Sequence, residues 1–258
     1  MIVAENIRKT FELTKKQRKE NNTDEKIAVA VNDVSFTCEP GRIFSLLGPN
    51  GAGKTTTLRM LAGILQPTGG RIQIQGVDVS ANANQARKHI GFLTGSTGLY
   101  ERLTPNELIK YFADLYNVSD QDFKRRKEEL YTLLDMHDFQ NKRIGRLSTG
   151  MKQKVSISRT MIHDPEVVIF DEPTSGLDVI TAENIIKLIG DCKKQGKTVI
   201  FSSHIMSEVD LLCDDLAIIH KGGIVYEGTM QQFRENMVSE NLTAEFIRII
   251  NASNNAEL

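Results

Sequence analysis

The run Gly48-Pro49-Asn50-Gly51-Ala52-Gly53-Lys54-Thr55 constrains this chain more than any other segment. Its pattern, Gly-x-x-x-x-Gly-Lys-[Ser/Thr], wraps bare backbone N–H groups around phosphate oxygens and opens onto a helix N-terminus. Glycine is required because a side chain would hold the backbone off the phosphates. Lys54 brings a point charge to the β- and γ-phosphates of a nucleotide, and Thr55 offers a hydroxyl to Mg²⁺. A glycine-rich turn with an incidental lysine would read the same in isolation. The flanks argue otherwise: Ile43 to Leu47 reads as a buried strand, and Leu58, Leu61, Ala62 and Leu65 follow with helical spacing. Pro49, Asn50, Gly51, Ala52, Gly53 and Thr56 complete the expected nucleotide-binding set.

A chain of 258 residues suits one large domain, or one domain with a subdomain. Its 32 Lys and Arg against 33 Asp and Glu give no reason to expect a polyanionic partner such as nucleic acid. Cys38, Cys192 and Cys213 are few and scattered, which fits a reducing cytosol and no disulfide framework. No Cys/His cluster has zinc spacing. The N-terminus carries Glu5, Arg8 and Lys9 where a signal peptide would need an apolar core. No apolar run approaches the ~20 residues needed to cross a bilayer. Any membrane role must therefore run through a partner.

Strands and helices alternate through most of the chain, which predicts a mainly parallel sheet covered by helices. Ile2–Asn6 and Ala28–Phe36 read as strands, and the charged stretch Thr14–Lys26 between them as a solvated loop or hairpin extension. Its Lys15-Lys16-Gln17-Arg18-Lys19 run is too short to favour a phospholipid-binding patch. Gly69-Gly70 leads into a strand over Arg71–Gln75. From Leu99 to Asp138 the character changes. Leu108, Tyr111, Phe112 and Leu115 form one helical stripe, and Leu130, Leu133 and Leu134 another. This is expected to be an inserted helical subdomain, with Lys124-Arg125-Arg126-Lys127 as a solvated helix face. Val167–Phe170 and Thr198–Ser202 are strands. Ile185, Ile186, Ile189 and Cys192 mark the helix between them, which Gly196 ends. Leu216–His220, Gly222-Gly223 and Ile224–Tyr226 predict a hairpin. Leu242, Phe246, Ile249 and Ile250 predict an amphipathic helix packed on its own core, with Asn251–Leu258 frayed.

Two further segments carry chemistry. Val167-Val168-Ile169-Phe170 runs directly into Asp171-Glu172. Acids at the C-terminal edge of a buried strand lie where α/β sheets place ligand chemistry. Asp171 would hold Mg²⁺ through water and Glu172 would polarise a water aimed at the γ-phosphate. Without the phosphate loop upstream, two solvated acids in a loop would be the better reading. Leu147-Ser148-Thr149-Gly150-Met151 precedes a basic helix, where Ser148 and the Gly150 backbone form a second anion site or a plain helix cap. Two phosphate-type sites in one chain are reconciled by a symmetric head-to-tail dimer in which each copy completes the other's site.

With these motifs in this order, nearly the whole chain resembles the ATP-binding subunit of an ABC transporter. Gly48–Thr55 corresponds to the Walker A loop, and Leu147–Met151 resembles the family signature, usually Leu-Ser-Gly-Gly-Gln. Asp171 and Glu172 match Walker B and the catalytic glutamate. Ser175–Asp178 resembles the D-loop, and His204 the switch histidine that contacts the γ-phosphate. Phe11 falls where the family places an aromatic that stacks on adenine; alone it would read as core. Thr149 and Met151 depart from the signature, but Ser148 and Gly150 are kept. A sharper departure is Gly95, at the position of a glutamine that contacts Mg²⁺ and the attacking water. Ser96 or a water is the candidate substitute. The spellings Leu93-Thr94-Gly95-Ser96-Thr97-Gly98-Leu99-Tyr100 and Leu147–Lys154 are similar to the sodium-efflux (NatA-type) exporter ATPases of bacteria.

The resemblance implies an α/β fold. It would have a phosphate-loop NTPase core with a mainly parallel sheet, an antiparallel β subdomain, and a helical subdomain inserted at about residues 96–160. A C-terminal hairpin and helix would occupy about residues 216–250. It implies ATP and Mg²⁺ as ligands, ATP hydrolysis, a homodimer in the ATP-bound state and a polytopic membrane permease as partner. The chain would then sit in the cytoplasm, peripheral on the inner face of the membrane. A soluble ABC-type ATPase acting on ribosomes or nucleic acid is the alternative, but the chain has neither two ATPase halves nor a long coiled coil. A small-molecule kinase lacks the signature segment.

Overall fold

The structure, a computed structural model, describes residues 1–20, 22–94 and 98–255. In chain order its elements are β1 (Ile2–Glu12), α1 (Lys15–Glu20), β2 (Ile27–Cys38), β3 (Ile43–Leu47) and α2 (Lys54–Leu61). Then come β4 (Gly69–Ile74), β5 (Val77–Asp78), α3 (Ala83–Lys88), β6 (Ile90–Thr94), α4 (Pro105–Leu115), α5 (Asp120–Leu133) and α6 (Thr149–Met161). The chain continues through β7 (Val167–Asp171), α7 (Val179–Lys194), β8 (Thr198–Ser203), α8 (Met206–Leu212), β9 (Asp215–His220), β10 (Gly223–Thr229), α9 (Met230–Glu235) and α10 (Leu242–Asn255).

Strand alternation divides the core into two clusters. In β3, Ile43 and Leu47 face one cluster while Phe44 and Leu46 face the other. Val168 and Phe170 of β7 join the first, Val167 and Ile169 the second, as a period of two requires. These strands belong to a six-stranded sheet of order β10-β9-β3-β8-β7-β6, parallel except for β10. With both faces covered, β3, β7 and β8 are buried along their whole length. An antiparallel sheet of order β2-β1-β4-β5 covers the second cluster together with α2. Phe36 stacks on Phe44 across the two sheets, with ring centroids 5.0 Å apart. The helical segment and α7–α10 cover the first cluster.

Several expectations need correction. The Thr14–Lys26 stretch is indeed a hairpin connection, but it carries the short helix α1, none of whose residues is buried. Helix α2 ends at Leu61, short of Leu65, because Gly63 turns the chain with a φ of 65°. The α4 stripe is rotated: Leu108, Ile109 and Ala113 are buried, while Tyr111 and Leu115 are exposed. The basic cluster is not a purely solvated face, because Arg126 donates to the Ile162 carbonyl at 3.3 Å and pairs with Asp164. The hairpin turn falls at Lys221-Gly222, both with positive φ, one residue earlier than Gly222-Gly223. Helix α10 does pack on its own core through Leu242, Phe246, Ile249 and Ile250. It does not fray at Asn251 but continues to Asn255, where Asn254 Oδ1 meets His220 Nε2 at 2.9 Å.

Candidate functional site

The phosphate loop joins the end of β3 to the start of α2, between β2 and the β9–β10 turn. Gly53 has φ 109°, and a Cβ there would lie 2.6 Å from the Ala30 carbonyl oxygen. A Cβ at Gly48 would strike the Ile219 carbonyl oxygen. The Gly222 N–H donates to the Ala52 carbonyl at 2.9 Å, and the Asn32 N–H donates to the Gly222 carbonyl at 2.8 Å. Two separate stretches of chain, β2 and the β9–β10 hairpin, thus brace one loop. The cleft it forms, about 180 Å³, is lined by Ala30, residues 49–56 and Glu172. A larger cleft of about 560 Å³ lies between α5 and α7. There Arg125, Arg126 and Lys197 are matched by Glu129, Asp164 and Asp191, so it offers no net charge to a phosphate.

Lys54 is buried, 4% exposed. Its ammonium donates to the Gly48 carbonyl at 2.6 Å and the Pro49 carbonyl at 3.2 Å, and lies 3.3 Å from Glu172 Oε1. The other Glu172 oxygen, Oε2, is 3.4 Å from His204 Nδ1. Glu172 therefore stands between the loop lysine and the exposed histidine. Its φ of 49° puts it in the left-handed region, where its N–H donates to the carbonyl (3.2 Å) and the hydroxyl (3.0 Å) of Ser202.

Asp171 closes β7 with a buried carboxylate. Its Oδ1 accepts from Thr55 Oγ1 at 3.0 Å and from Ser202 Oγ at 2.8 Å. Its Oδ2 receives Thr94 Oγ1 at 3.5 Å. Thr94, Asp171 and Ser202 are side-by-side partners in the parallel ladder of β6, β7 and β8. Ser202 and Thr94 were not singled out from sequence. The available signal for Ser202 was a pair of serines following the apolar run Val199-Ile200-Phe201 just before His204.

Ser148 is the exposed N-cap of α6, accepting the Met151 N–H at 3.2 Å. Neither Ser148 nor Gly150 lines the Lys54 cleft. The first turns of α6 sit beside the segment after Glu172 instead: a Cβ on Gly150 would lie 3.5 Å from Asp178 Oδ2, and Gln153 Nε2 donates to the Pro173 carbonyl at 3.1 Å. Asp178 caps α7, and the N–H and hydroxyl of Thr181 hold its carboxyl below the usual range. Phe11 pairs with Ala28 of β2, two residues from Ala30, and is 39% exposed, with Lys9 Nζ 5.2 Å from the ring centroid. Gly95 and Ser96 lie outside the described residues.

Comparison with known proteins bears on this arrangement. Residues 31–175 match the family described as ABC transporter. The ABC transporter ATP-binding protein NatA of Bacillus subtilis (strain 168) is 44% identical over 223 residues, which are 86% of this chain and 91% of that protein. A solved structure described as the ATP-binding subunit of an ABC transporter superposes with a TM-score of 0.84 at 25% identity, covering 96% of this chain and 99% of that one. A dimeric structure of MJ0796, a bacterial ABC transporter cassette, superposes with a TM-score of 0.78 at 25% identity, covering 89% and 99%. With its phosphate loop, its Asp171-Glu172 pair and its two-sheet α/β fold, this chain belongs to the ABC transporter family as one of its ATP-binding ATPases.

Proposed function

We propose that two copies of this chain close head to tail on two ATP molecules, and that this closure drives a separate membrane permease that exports its cargo. The observation that carries the reading is that the two anion sites are separate within one copy. Gly150 lies beside the segment after Glu172, and neither it nor Ser148 lines the Lys54 cleft of its own copy. A second copy, turned head to tail, would bring them to that cleft. A dimeric relative of the same fold supports this assembly. The resemblance to NatA-type ATPases implies export.

In this reading the amides of Gly48–Thr55, Lys54 and Thr56 bind the phosphates, Phe11 stacks on adenine, Glu172 polarises the attacking water and His204 contacts the γ-phosphate. The donor chemistry fits Mg²⁺: Thr55 and Asp171 present hard oxygens side by side. Among the described residues no group of three or more His, Cys, Asp and Glu could hold a metal on its own. Bound there, the ion would neutralise charge between the β- and γ-phosphates. Among the described residues no helix is long and apolar enough to cross a membrane. The permease's cytoplasmic loops would dock on the helical subdomain where it meets the core, at a cleft of about 290 Å³ lined by Phe112 and Tyr116 of the subdomain and by Ile64 and Phe92 of the core.

A pull-down from native membranes with this chain as bait tests the proposal. A polytopic membrane protein should co-purify. Recovery of ribosomes or nucleic acid in its place would overturn the permease and favour a soluble ATPase.

A further inference from the structure

Glu208, half-buried on α8, accepts a hydrogen bond on each carboxylate oxygen. Thr174 Oγ1 donates to Oε1 at 2.6 Å, and Ser203 Oγ donates to Oε2 at 2.9 Å. Both hydroxyl residues are buried. Neither lines the phosphate cleft, but each neighbours a residue that stands at it. Thr174 follows Glu172 by two positions, in a run of turns where the Ser175 N–H donates to the Glu172 carbonyl and the Leu177 N–H to the Thr174 carbonyl, each at 3.2 Å. Ser203 immediately precedes His204, and its Oγ also accepts the Ile205 N–H at 3.0 Å.

These contacts close a ring. From Glu172 the chain runs to Thr174, across Glu208 to Ser203, on to His204, and back to Glu172 through the 3.4 Å contact. We propose that Glu208 is a positioning residue for ATP hydrolysis, holding Glu172 and His204 in fixed register by clamping the two segments that carry them. The proposal rests on the reading in which Glu172 and His204 act on ATP. Both bonds run from a hydroxyl to a carboxylate, and the 2.6 Å bond from Thr174 has the length of the stronger charge-assisted class. The clamp is also well placed. Glu172 has a left-handed backbone, and a small rotation of its loop would swing its carboxylate away from the cleft.

A purely local role for Glu208 is the competing explanation, since an acid in the first turn of a helix stabilises that helix. Kinetics separate the two. The full-length chain is compared with Glu208→Ala, Glu208→Gln, Thr174→Val and the Glu208→Ala/Thr174→Val double variant, with Glu172→Gln and His204→Ala as controls. Glu208→Ala and Thr174→Val should each lower kcat about tenfold, with KM for ATP changed less than about twofold, the pattern of an interaction lost only in the reacting state. The double variant should lose no more than the larger single loss, because both changes open the same clamp. Glu208→Gln keeps the shape and one acceptor oxygen and should recover part of the rate. Thr174→Val leaves α8 and its acid intact, so it decides the question even if Glu208→Ala fails to fold. Wild-type kcat in Thr174→Val, or single losses that multiply in the double variant, overturns the clamp. Wild-type turnover in both controls overturns the roles of Glu172 and His204 first, and the clamp falls with them.

Discussion

Thr55 Oγ1 lies 3.0 Å from Asp171 Oδ1, so the first turn of α2 and the last residue of β7 meet at one carboxylate oxygen. Ser202 Oγ donates to the same atom. With Oδ1 so engaged, the charge of Asp171 is held beside the threonine hydroxyl. Asp171→Asn keeps an oxygen for both hydroxyls and removes the charge. It should raise the Mg²⁺ concentration for half-maximal ATPase activity by about fivefold or more, since charge-assisted contacts exceed neutral ones by about 1 kcal/mol. Titrating Mg²⁺ at saturating ATP reads this directly, and an unshifted midpoint removes Asp171 from the ion's shell.

Lys54 holds two loop carbonyls as well as facing Glu172. Lys54→Ala should weaken nucleotide binding by at least about tenfold, or abolish turnover, from the loss of charge-assisted phosphate contacts worth roughly 1.5–3 kcal/mol. Equilibrium titration with a fluorescent ATP analogue measures the change. Wild-type affinity and turnover together would take Lys54 out of the site.

Glu172→Gln keeps the side-chain shape and removes its charge. Hydrolysis should stop while ATP binding persists, and the variant should then elute as a dimer in size-exclusion chromatography with ATP and Mg²⁺. The wild type, without ATP, is expected to elute as a monomer, because the nucleotide supplies much of the interface. A variant that binds ATP tightly and stays monomeric would count against head-to-tail closure.

The local form of single segments was legible in the sequence, and the contacts between segments were not. The loop at residues 48–55 is encoded locally, because its glycines are needed for backbone approach wherever the loop occurs. The acids of Asp171-Glu172 were visible for a similar reason, at the end of a wholly apolar strand. Ser202 owes its place beside Asp171 to the register of β7 against β8, which no local pattern states. The α4 stripe departs from its spacing because Tyr111 and Leu115, apolar by type, stand exposed, and residue type alone does not assign burial. Helix α9 was missed although Thr229 and Gln232 form a capping box, a signal present in the sequence.

His163 gives a pH dependence unrelated to catalysis. Burial pushes its imidazole down to about 4, while its Nε2 lies 3.1 Å from the Ile90 carbonyl and its ring stacks on Tyr116 at 3.8 Å. The folded value lies below the unfolded one, so between about pH 6.5 and 4 the unfolded chain binds the extra proton. The resulting stability is present above that window and is lost as the pH falls through it, by up to ~3 kcal/mol. Denaturant unfolding of the wild type should therefore weaken between pH 7 and pH 4.5 more steeply than that of His163→Gln. Parallel pH profiles would assign the acid sensitivity to other groups.

The Lys221-Gly222 turn has a temporal consequence. Gly222 holds Ala52 on one side and Asn32 on the other, so the brace over the phosphate loop is supplied by a segment synthesised well after the loop itself. During translation the loop itself emerges early, but its closing contacts exist only once the C-terminal hairpin has added to the sheet through β9 and β3. The shape of the loop thus waits on a segment far downstream of it, and a chain cut before that turn would present the loop without this brace.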